Sequence, residues 1–173
     1  MKRFILASAS LIASCIALPL HAQTITVGAQ YFAPKLDFDG HDASPKLYGV
    51  SLGIETIERL YFELHTTVND KSDQLFGVDT EVRDSNAAYF RFASEQYDGV
   101  SLDILLGYAR NTVTFSGRPE VYESKEEFNG FAWGLNLNYH LSDYILLTGG
   151  YQSRYSKDDI KLAGLSAGFI VQF

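Results

Sequence analysis

The sequence predicts an all-β fold: a transmembrane, antiparallel, up-and-down β-barrel of eight strands. The prediction depends on a repeated alternation of apolar and polar residues, on connections that alternate between short and long, and on an aromatic final strand. Alternation over about ten residues is typical of a strand with one buried and one solvated face. Short connections at one end and long ones at the other are typical of membrane barrels.

The first 22 residues have the layout of a secretory signal peptide. Lys2 and Arg3 precede an apolar run, and the small residue Ala22 ends the segment. We therefore expect a signal peptide at 1–22 and one β-barrel domain at 23–173. An alternative is a lipoprotein signal, because Ile12-Ala13-Ser14-Cys15 resembles a lipoprotein cleavage box and would leave a lipidated Cys15.

Composition excludes several classes for the exported part. Without Lys2 and Arg3 it has 12 basic and 21 acidic residues, a net charge of −9, which disfavours nucleic acid as a partner. Its hydrophobic content is too high for a disordered chain. The single cysteine is Cys15, so the exported part has no disulfide, thiolate zinc site or cysteine nucleophile.

The alternation divides the chain into eight segments. We expect strands at 24–33, 46–55, 60–68, 86–93, 100–110, 130–140, 144–152 and 162–173. The connections at 56–59, 94–99 and 141–143 are short. Those at 34–45, 69–85, 111–129 and 153–161 are long and polar, and we expect them to be extracellular loops, with the short turns in the periplasm.

The two faces of these strands differ in kind. On the fifth strand, Leu102, Ile104 and Leu106 alternate with Ser101 and Asp103. A soluble sandwich or a lipocalin-like barrel would also alternate, but would carry many lysines and glutamates on its solvated face. Here the polar face is rich in glycine, serine, asparagine and threonine, which favours the crowded interior of a narrow barrel.

Aromatic residues and the last strand support a membrane location. Tyr31, Tyr48, Tyr108, Phe131 and Tyr151 fall at one rim, and Phe62, Phe92, Tyr139 and Phe173 at the other. Two such girdles mark the headgroup zones. The final strand has apolar residues at alternate positions, namely Leu165, Ala167, Phe169, Val171 and Phe173. This pattern resembles the C-terminal assembly signal of bacterial outer-membrane proteins.

With its strand number, loop alternation and terminal F-I-V-Q-F, the chain resembles the small eight-stranded outer-membrane barrels. These are the OmpA-transmembrane-domain, OmpX and opacity-protein-like group, whose L-G-Y-A strand is similar to Leu106-Gly107-Tyr108-Ala109. The resemblance implies an outer-membrane monomer with surface loops. It also implies roles in adhesion, host contact or envelope integrity. We expect no cofactor. The expected partners are outer-membrane lipid and lipopolysaccharide, the barrel-assembly machinery through the last strand, and a host or surface ligand at the loops.

Two other functions stay open: a channel for small solutes and a lipid A-modifying enzyme. Side chains fill an eight-stranded barrel, which disfavours a wide pore. His140-Leu141-Ser142-Asp143 is a partial match to the His-x-Ser-Asn segment of lipid A deacylases, but it falls at a short periplasmic turn. We therefore expect a non-enzymatic protein with no catalytic residues.

No metal site is expected. His41 and His65 lack partners at metal-ligand spacing. The acidic pairs in the loops, which could hold Ca²⁺, lack the spacing of an EF-hand and are expected to be solvated. These pairs are Asp37 and Asp39, Glu126 and Glu127, and Asp158 and Asp159.

One charge cluster is expected inside the barrel. Glu63, Arg91 and Asp103 lie on the polar faces of three consecutive strands, all in the half nearer the short turns. Arg91, on the middle strand, is placed to bridge the two carboxylates. Removing it should therefore destabilise the barrel far more than removing Arg154, which is expected in a loop.

Overall fold

The computed structural model describes residues 24–38, 41–75, 78–117, 121–157 and 159–173. All regular secondary structure in these ranges is β-strand. No helix in them is long and apolar enough to cross a membrane. The predicted signal peptide, including Cys15, lies outside the described residues.

Eight long strands follow one another along the chain. They are β1 (Ile25–Phe38), β2 (Lys46–Ile57), β3 (Leu60–Lys71), β4 (Val78–Ala93), β5 (Val100–Gly117), β6 (Val121–His140), β7 (Ile145–Lys157) and β8 (Ile160–Gln172). Two three-residue segments add short pairings. His41–Ala43 pairs with the last residues of β1, and Asp73–Leu75 pairs with the first residues of β4.

Each strand pairs antiparallel with the next, and β8 pairs with β1, so the sheet closes on itself. The closing ladder runs from Thr26 opposite Gln172 to Phe38 opposite Ile160. Its last backbone hydrogen bond joins the Phe173 N–H to the Ile25 carbonyl over 2.9 Å. Closure leaves no free edge within a bilayer, where an unpaired backbone group would cost several kcal/mol. The predicted eight-stranded up-and-down barrel is confirmed.

The two faces of the barrel wall follow the alternation. On β5, Leu102, Ile104 and Leu106 are between 40 and 45 % exposed on the outer face, whereas Ser101 and Asp103 are almost fully buried inside. Large apolar side chains on the outside and buried polar ones inside invert the arrangement of a soluble barrel. The same inversion occurs on the other strands, as the burial of Glu63, Arg91, Asn138 and Gln152 shows.

The strands extend further than the sequence predicts. At the turn end of the barrel, short connections join the strands, and β8 ends there at Gln172. At the opposite end, which we call the hairpin end, the four predicted loops are largely β-structure. On β5 the four residues from Asn111 to Thr114 are all buried, because Thr112 bonds to Asp84 on one face while Val113 packs on the other. The alternation of apolar and polar residues disappears where both faces of a strand are covered. The sequence of these four residues therefore resembles that of a loop.

The wall is incomplete between β6 and β7 at the hairpin end. Their ladder stops at Trp133 opposite Ser153, although both strands continue beyond this pair. The side-chain amide of Asn111 donates to the backbone carbonyls of Phe128, over 3.4 Å, and Arg154, over 3.2 Å. One amide from β5 therefore links the two strands beyond the end of their ladder.

Candidate functional site

Three charged side chains from neighbouring strands meet inside the barrel. Glu63 on β3, Arg91 on β4 and Asp103 on β5 are each at most 4 % exposed. Nε of Arg91 lies 2.7 Å from Oε1 of Glu63, and its Nη1 lies 3.0 Å from Oδ2 of Asp103. The planar guanidinium offers several N–H groups in a fixed fork, which suits two acceptors. The structure thus brings together the three residues that the sequence singles out.

The cluster extends through two rings. The Tyr61 ring lies 3.8 Å from the guanidinium carbon of Arg91, which is a cation–π contact. Nε2 of His65 lies 2.9 Å from Oε2 of Glu63, and Nδ1 of His65 lies 3.2 Å from the amide nitrogen of Gln30. The amide nitrogen of Gln30 can only donate, so Nδ1 of His65 accepts and Nε2 carries the proton that is donated to Glu63.

A second buried arginine, Arg154, corrects the prediction of a loop residue. Its side chain is fully buried inside the barrel. The β7–β8 ladder pairs Ser153 with Ala163 and Tyr155 with Leu162, so Arg154 is an extra residue in β7. Such a bulge turns an additional side chain to the same face. A signal was present in the sequence: Arg154 continues the period of two that places Gln152 on the polar face.

Within the described residues, the hydrogen-bond acceptors of Arg154 are all neutral groups. Its Nη1 donates to Oγ1 of Thr67 over 2.8 Å and to Oγ of Ser85 over 2.9 Å, and its Nη2 donates to Oε1 of Gln152 over 3.3 Å. The guanidinium carbon lies 4.6 Å from the ring centre of Phe32. No carboxylate in the described part of the chain forms an ion pair with it. A buried charge without a counter-ion is costly unless other groups compensate for it.

An apolar layer lies at the hairpin end of this polar interior. We call it the apolar cap; it consists of Phe32, Leu36, Ala43, Leu47, Val82, Val113, Tyr155 and Leu162. All are at most 8 % exposed, and Phe115, Phe128 and Ile160 pack against them. Because Phe32 belongs to the cap and also contacts Arg154, the cap rests directly on the polar layer.

The partial deacylase motif is not assembled as a catalytic pair. Nε2 of His140 lies 2.9 Å from Oγ of Ser101 on β5, whereas Oγ of Ser142 accepts a hydrogen bond from the Tyr144 N–H over 3.3 Å. Ser142 is exposed in the connection between β6 and β7, at the turn end. The described side-chain hydrogen bonds of His140 and Ser142 therefore go to other groups and do not join the two residues.

The described residues contain no group of three His, Cys, Asp or Glu side chains that could hold a metal ion. His65 is instead bonded to Glu63 and Gln30. Glu127 is bonded to Arg110, with two oxygens at 2.8 and 2.7 Å from one nitrogen. Asp39 and Asp158, from the acidic pairs of the loops, lie outside the described residues.

The five residues of the predicted assembly signal lie on one strand face. Leu165, Ala167 and Phe169 are exposed on the outside of β8, followed by Val171 and the terminal Phe173. The backbone of β8 pairs with both β7 and β1. These positions thus form an apolar stripe on the strand that closes the barrel.

Comparison with known proteins identifies a family to which this barrel is similar. The family described as "Outer membrane protein beta-barrel domain" matches residues 6–173. No curated protein matches the chain at a significant level.

Several solved structures share the fold at low sequence identity. Neisserial surface protein A is 18 % identical, with a TM-score of 0.69 and coverage of 86 % of this chain and 97 % of that one. Ail, the attachment invasion locus protein of Yersinia pestis, in complex with the heparin analogue sucrose octasulfate, is 15 % identical, with a TM-score of 0.67 and coverage of 87 % and 99 %. The outer membrane protein OprG from Pseudomonas aeruginosa is 12 % identical, with a TM-score of 0.61 and coverage of 87 % and 95 %.

The family match covers nearly the whole sequence, and the closed barrel carries its apolar face outward. The chain therefore belongs to the outer membrane protein β-barrel domain family and is a protein of the bacterial outer membrane.

Proposed function

We propose that this protein is a non-enzymatic surface barrel whose hairpin end binds a host or envelope partner while its interior stays closed. The observation that carries the proposal is the apolar cap, which covers the polar interior on the extracellular side. A packed cap disfavours transport through the lumen and makes the extended hairpins a rigid platform. Binding residues are commonly displayed on such supported connections.

The charge of the hairpin end narrows the class of partner. Segments 34–45, 69–85, 111–129 and 153–161 together contain 14 acidic and eight basic residues. A polyanion such as the sucrose octasulfate bound to Ail would meet like charge here. We therefore propose a cationic or neutral partner surface, which separates this protein from that structural relative.

Surface display in a non-adherent bacterium tests this function. We expect cells that carry the protein to bind host cells or matrix more strongly than cells without it. Replacing residues 118–127 with a short Gly-Ser turn should abolish the gain, while replacing Ser94, Glu95 and Gln96 at the turn end should preserve it. Equal adhesion of both variants, or no gain with the unaltered protein, would contradict the proposal. Gel mobility before and after boiling verifies that each variant is folded.

A channel for small solutes would instead require an open path through the apolar cap. The polar layer reaches from Asp103 to Arg154, but ions would then have to pass Phe32 and Leu36, which are at most 1 % exposed. In planar bilayers we expect no steady conductance from the purified protein. Regular openings that disappear in Leu36→Trp would favour the channel instead.

The enzyme alternative is tested on lipid A itself. His140 pairs with Ser101 at the turn end, which faces the periplasm, whereas lipid A is in the outer leaflet. We expect the purified barrel to leave the mass of lipid A unchanged after incubation. A loss of an acyl chain that His140→Ala prevents would make the protein an enzyme.

A further inference from the structure

A series of hydrogen bonds crosses the interior of the barrel from β7 to β3. Nη2 of Arg154 donates to Oε1 of Gln152, and Nε2 of Gln152 donates to Oε1 of Gln30. The amide nitrogen of Gln30 donates to Nδ1 of His65, and Nε2 of His65 donates to Glu63. The donors therefore point the same way at every step, from the guanidinium to the carboxylate.

The direction of this series is fixed at its two ends. A guanidinium has no acceptor, so Arg154 must donate, and an ionised carboxylate has no donor, so Glu63 must accept. Each glutamine amide between them offers one nitrogen and one oxygen, so its orientation follows from its neighbours. All the contacts are satisfied only when His65 is neutral and carries its proton on Nε2.

The charged and titratable groups around His65 come from four strands. They are Glu63 on β3, Tyr89 and Arg91 on β4, Asp103 on β5 and Arg154 on β7. On the remaining neighbouring strands, Gln30 of β1 and Ser51 of β2 are uncharged. The charges of the two carboxylates and the two arginines cancel. A second proton on His65 therefore gives the interior an excess positive charge, which is costly in a buried site.

A second proton on His65 also disrupts the hydrogen bonds. Histidine is the side chain whose unperturbed charge changes between about pH 5 and 8. Once protonated, Nδ1 is a donor that faces the donor of Gln30. Rotation of the Gln30 amide moves this conflict to Gln152, and rotation of the Gln152 amide moves it to Arg154, which cannot accept. One hydrogen bond is lost at whichever step the two donors meet.

The loss is least costly at Arg154. Its Nη1 keeps Thr67 and Ser85 as acceptors when Nη2 loses Gln152. Withdrawal of the guanidinium also increases its distance from the imidazolium, so the repulsion between the two buried cations falls.

Arg154 is connected to the apolar cap by two contacts. Its guanidinium carbon lies 4.6 Å from the ring centre of Phe32, which belongs to the cap. Its backbone carbonyl accepts a hydrogen bond from the Asn111 amide, which links β6 and β7 beyond the end of their ladder. A shift of Arg154 therefore disturbs the cap and this link together.

We propose that His65 is an acid sensor whose protonation releases Arg154 from Gln152 and loosens the apolar cap. At neutral pH the cap supports the hairpin end as a rigid platform, and in acid this support is withdrawn. The regulation goes beyond the proposed partner binding and does not depend on which partner is bound.

A single thiol in the cap tests this regulation. In a Cys15→Ser background, Leu36→Cys places the only thiol in the buried cap and Tyr97→Cys places it at the exposed turn end. The reaction rate with dithiodipyridine is measured in lipid vesicles at about pH 8 and about pH 5, which bracket histidine titration. Dividing the Leu36→Cys rate by the Tyr97→Cys rate removes the pH dependence of the reagent. This ratio should rise by about tenfold in acid, since loss of one hydrogen bond from a charged donor favours local opening by that factor.

His65→Gln is the decisive variant in this assay. A glutamine amide donates to Glu63, accepts from Gln30 and does not titrate, so the ratio should keep its neutral value in acid. The matched control is His140→Gln, which removes the imidazole bonded to Ser101 at the turn end and should preserve the rise. A rise of the same size in His65→Gln, or no rise when both histidines are present, would overturn the proposal.

Nuclear magnetic resonance of ¹⁵N-labelled histidine gives a readout that does not depend on the folding of a cap variant. In the unaltered barrel we expect His65 to carry a proton on Nε2 alone at about pH 8 and on both nitrogens at about pH 5. An imidazole that stays neutral in acid would also overturn the proposal.

Discussion

Arg154 and Glu63 are the two ends of one chain of hydrogen bonds in which every donor points towards the Glu63 carboxylate. Arg154 donates to Gln152, Gln152 to Gln30 over 3.3 Å, Gln30 to His65, and His65 to Glu63. Both glutamine amides and the imidazole are thereby oriented in a single direction. The dipoles of these neutral groups carry part of the attraction between the buried cation and the carboxylate.

This series of hydrogen bonds explains how the barrel tolerates the buried Arg154 guanidinium, which has no directly paired carboxylate. Arg91 lies between two carboxylates, so these three groups carry one net negative charge. Arg154 supplies one positive charge, and the four groups together are neutral. The interior is therefore two layers of opposite charge joined by oriented amides. Removing Arg154 should leave the negative layer without compensation, and removing Arg91 should leave two buried carboxylates against the single charge of Arg154.

The first prediction concerns Arg91. Arg91→Ala leaves Glu63 and Asp103 buried and unpaired, so it should lower the free energy of unfolding by about 3–5 kcal/mol. The matched control is Arg83→Ala on the exposed side of the same strand, which should change it by less than about 0.5 kcal/mol. Urea titration in lipid vesicles measures both variants. Equal midpoints would show that the ion pairs add nothing to stability.

The second prediction concerns Arg154. Arg154→Ala should destabilise the barrel by about 1–3 kcal/mol, because it leaves the buried acceptors of Thr67, Ser85 and Gln152 unsatisfied. A loss no greater than that of Arg83→Ala would mean that water replaces the guanidinium. The same urea titration distinguishes these results. Arg91→Ala is still expected to cost more, as the sequence predicts, but the burial of Arg154 makes the difference between the two variants smaller than it would be for a loop residue.

The sequence predicts the wall of the barrel better than its hairpin end. Where lipid covers one face, as around Ile104, apolar residues must alternate, and the pattern identifies both strand and facing. Beyond the girdle water or protein covers either face, so strand pairing no longer requires alternation. The extension of β5 through Asn111–Thr114 is invisible for this reason.

The interior is partly predictable on the same physical grounds. The cluster at Arg91 follows from three ionisable residues on the polar faces of consecutive strands. The inward side of Arg154 follows the period of two from Gln152, but the bulge that extends β7 through this residue is not revealed by one sequence, because the extra residue has no signature of its own.

The third prediction concerns close contact between strands at Gly107. A Cβ added there would overlap the carbonyl oxygen of Ala88, which is backbone and has little freedom to move. Gly107→Ala should therefore destabilise the barrel by about 1–3 kcal/mol. Gly149→Ala is the control, because its nearest contact would be an ordinary 3.9 Å. Urea titration that gave the two variants the same midpoint would contradict the close packing of β4 against β5.

The fourth prediction tests depth in the membrane. Ile104 lies in the middle of the apolar face of β5, so Ile104→Arg should cost about 2–4 kcal/mol. Val68→Arg places the same charge near the hairpin end of β3, where the cost should be about 0–1 kcal/mol. Folded yield in lipid vesicles, read from gel mobility without boiling, compares the two. Similar yields would place Ile104 away from the bilayer centre.

The fifth prediction separates assembly in the cell from stability. Phe173 is 72 % exposed and contributes to closure through its backbone, whose hydrogen bonds to Ile25 do not need the aromatic ring. Phe173→Ser should therefore refold from urea into vesicles with nearly normal yield. In cells we expect it to accumulate unassembled, because we propose that the assembly machinery recognises the apolar stripe on β8 through the ring of Phe173. Tyr97→Ser removes another exposed ring at the turn end and should assemble normally. If both variants reached the outer membrane equally well, the apolar stripe on β8 would serve only to face lipid.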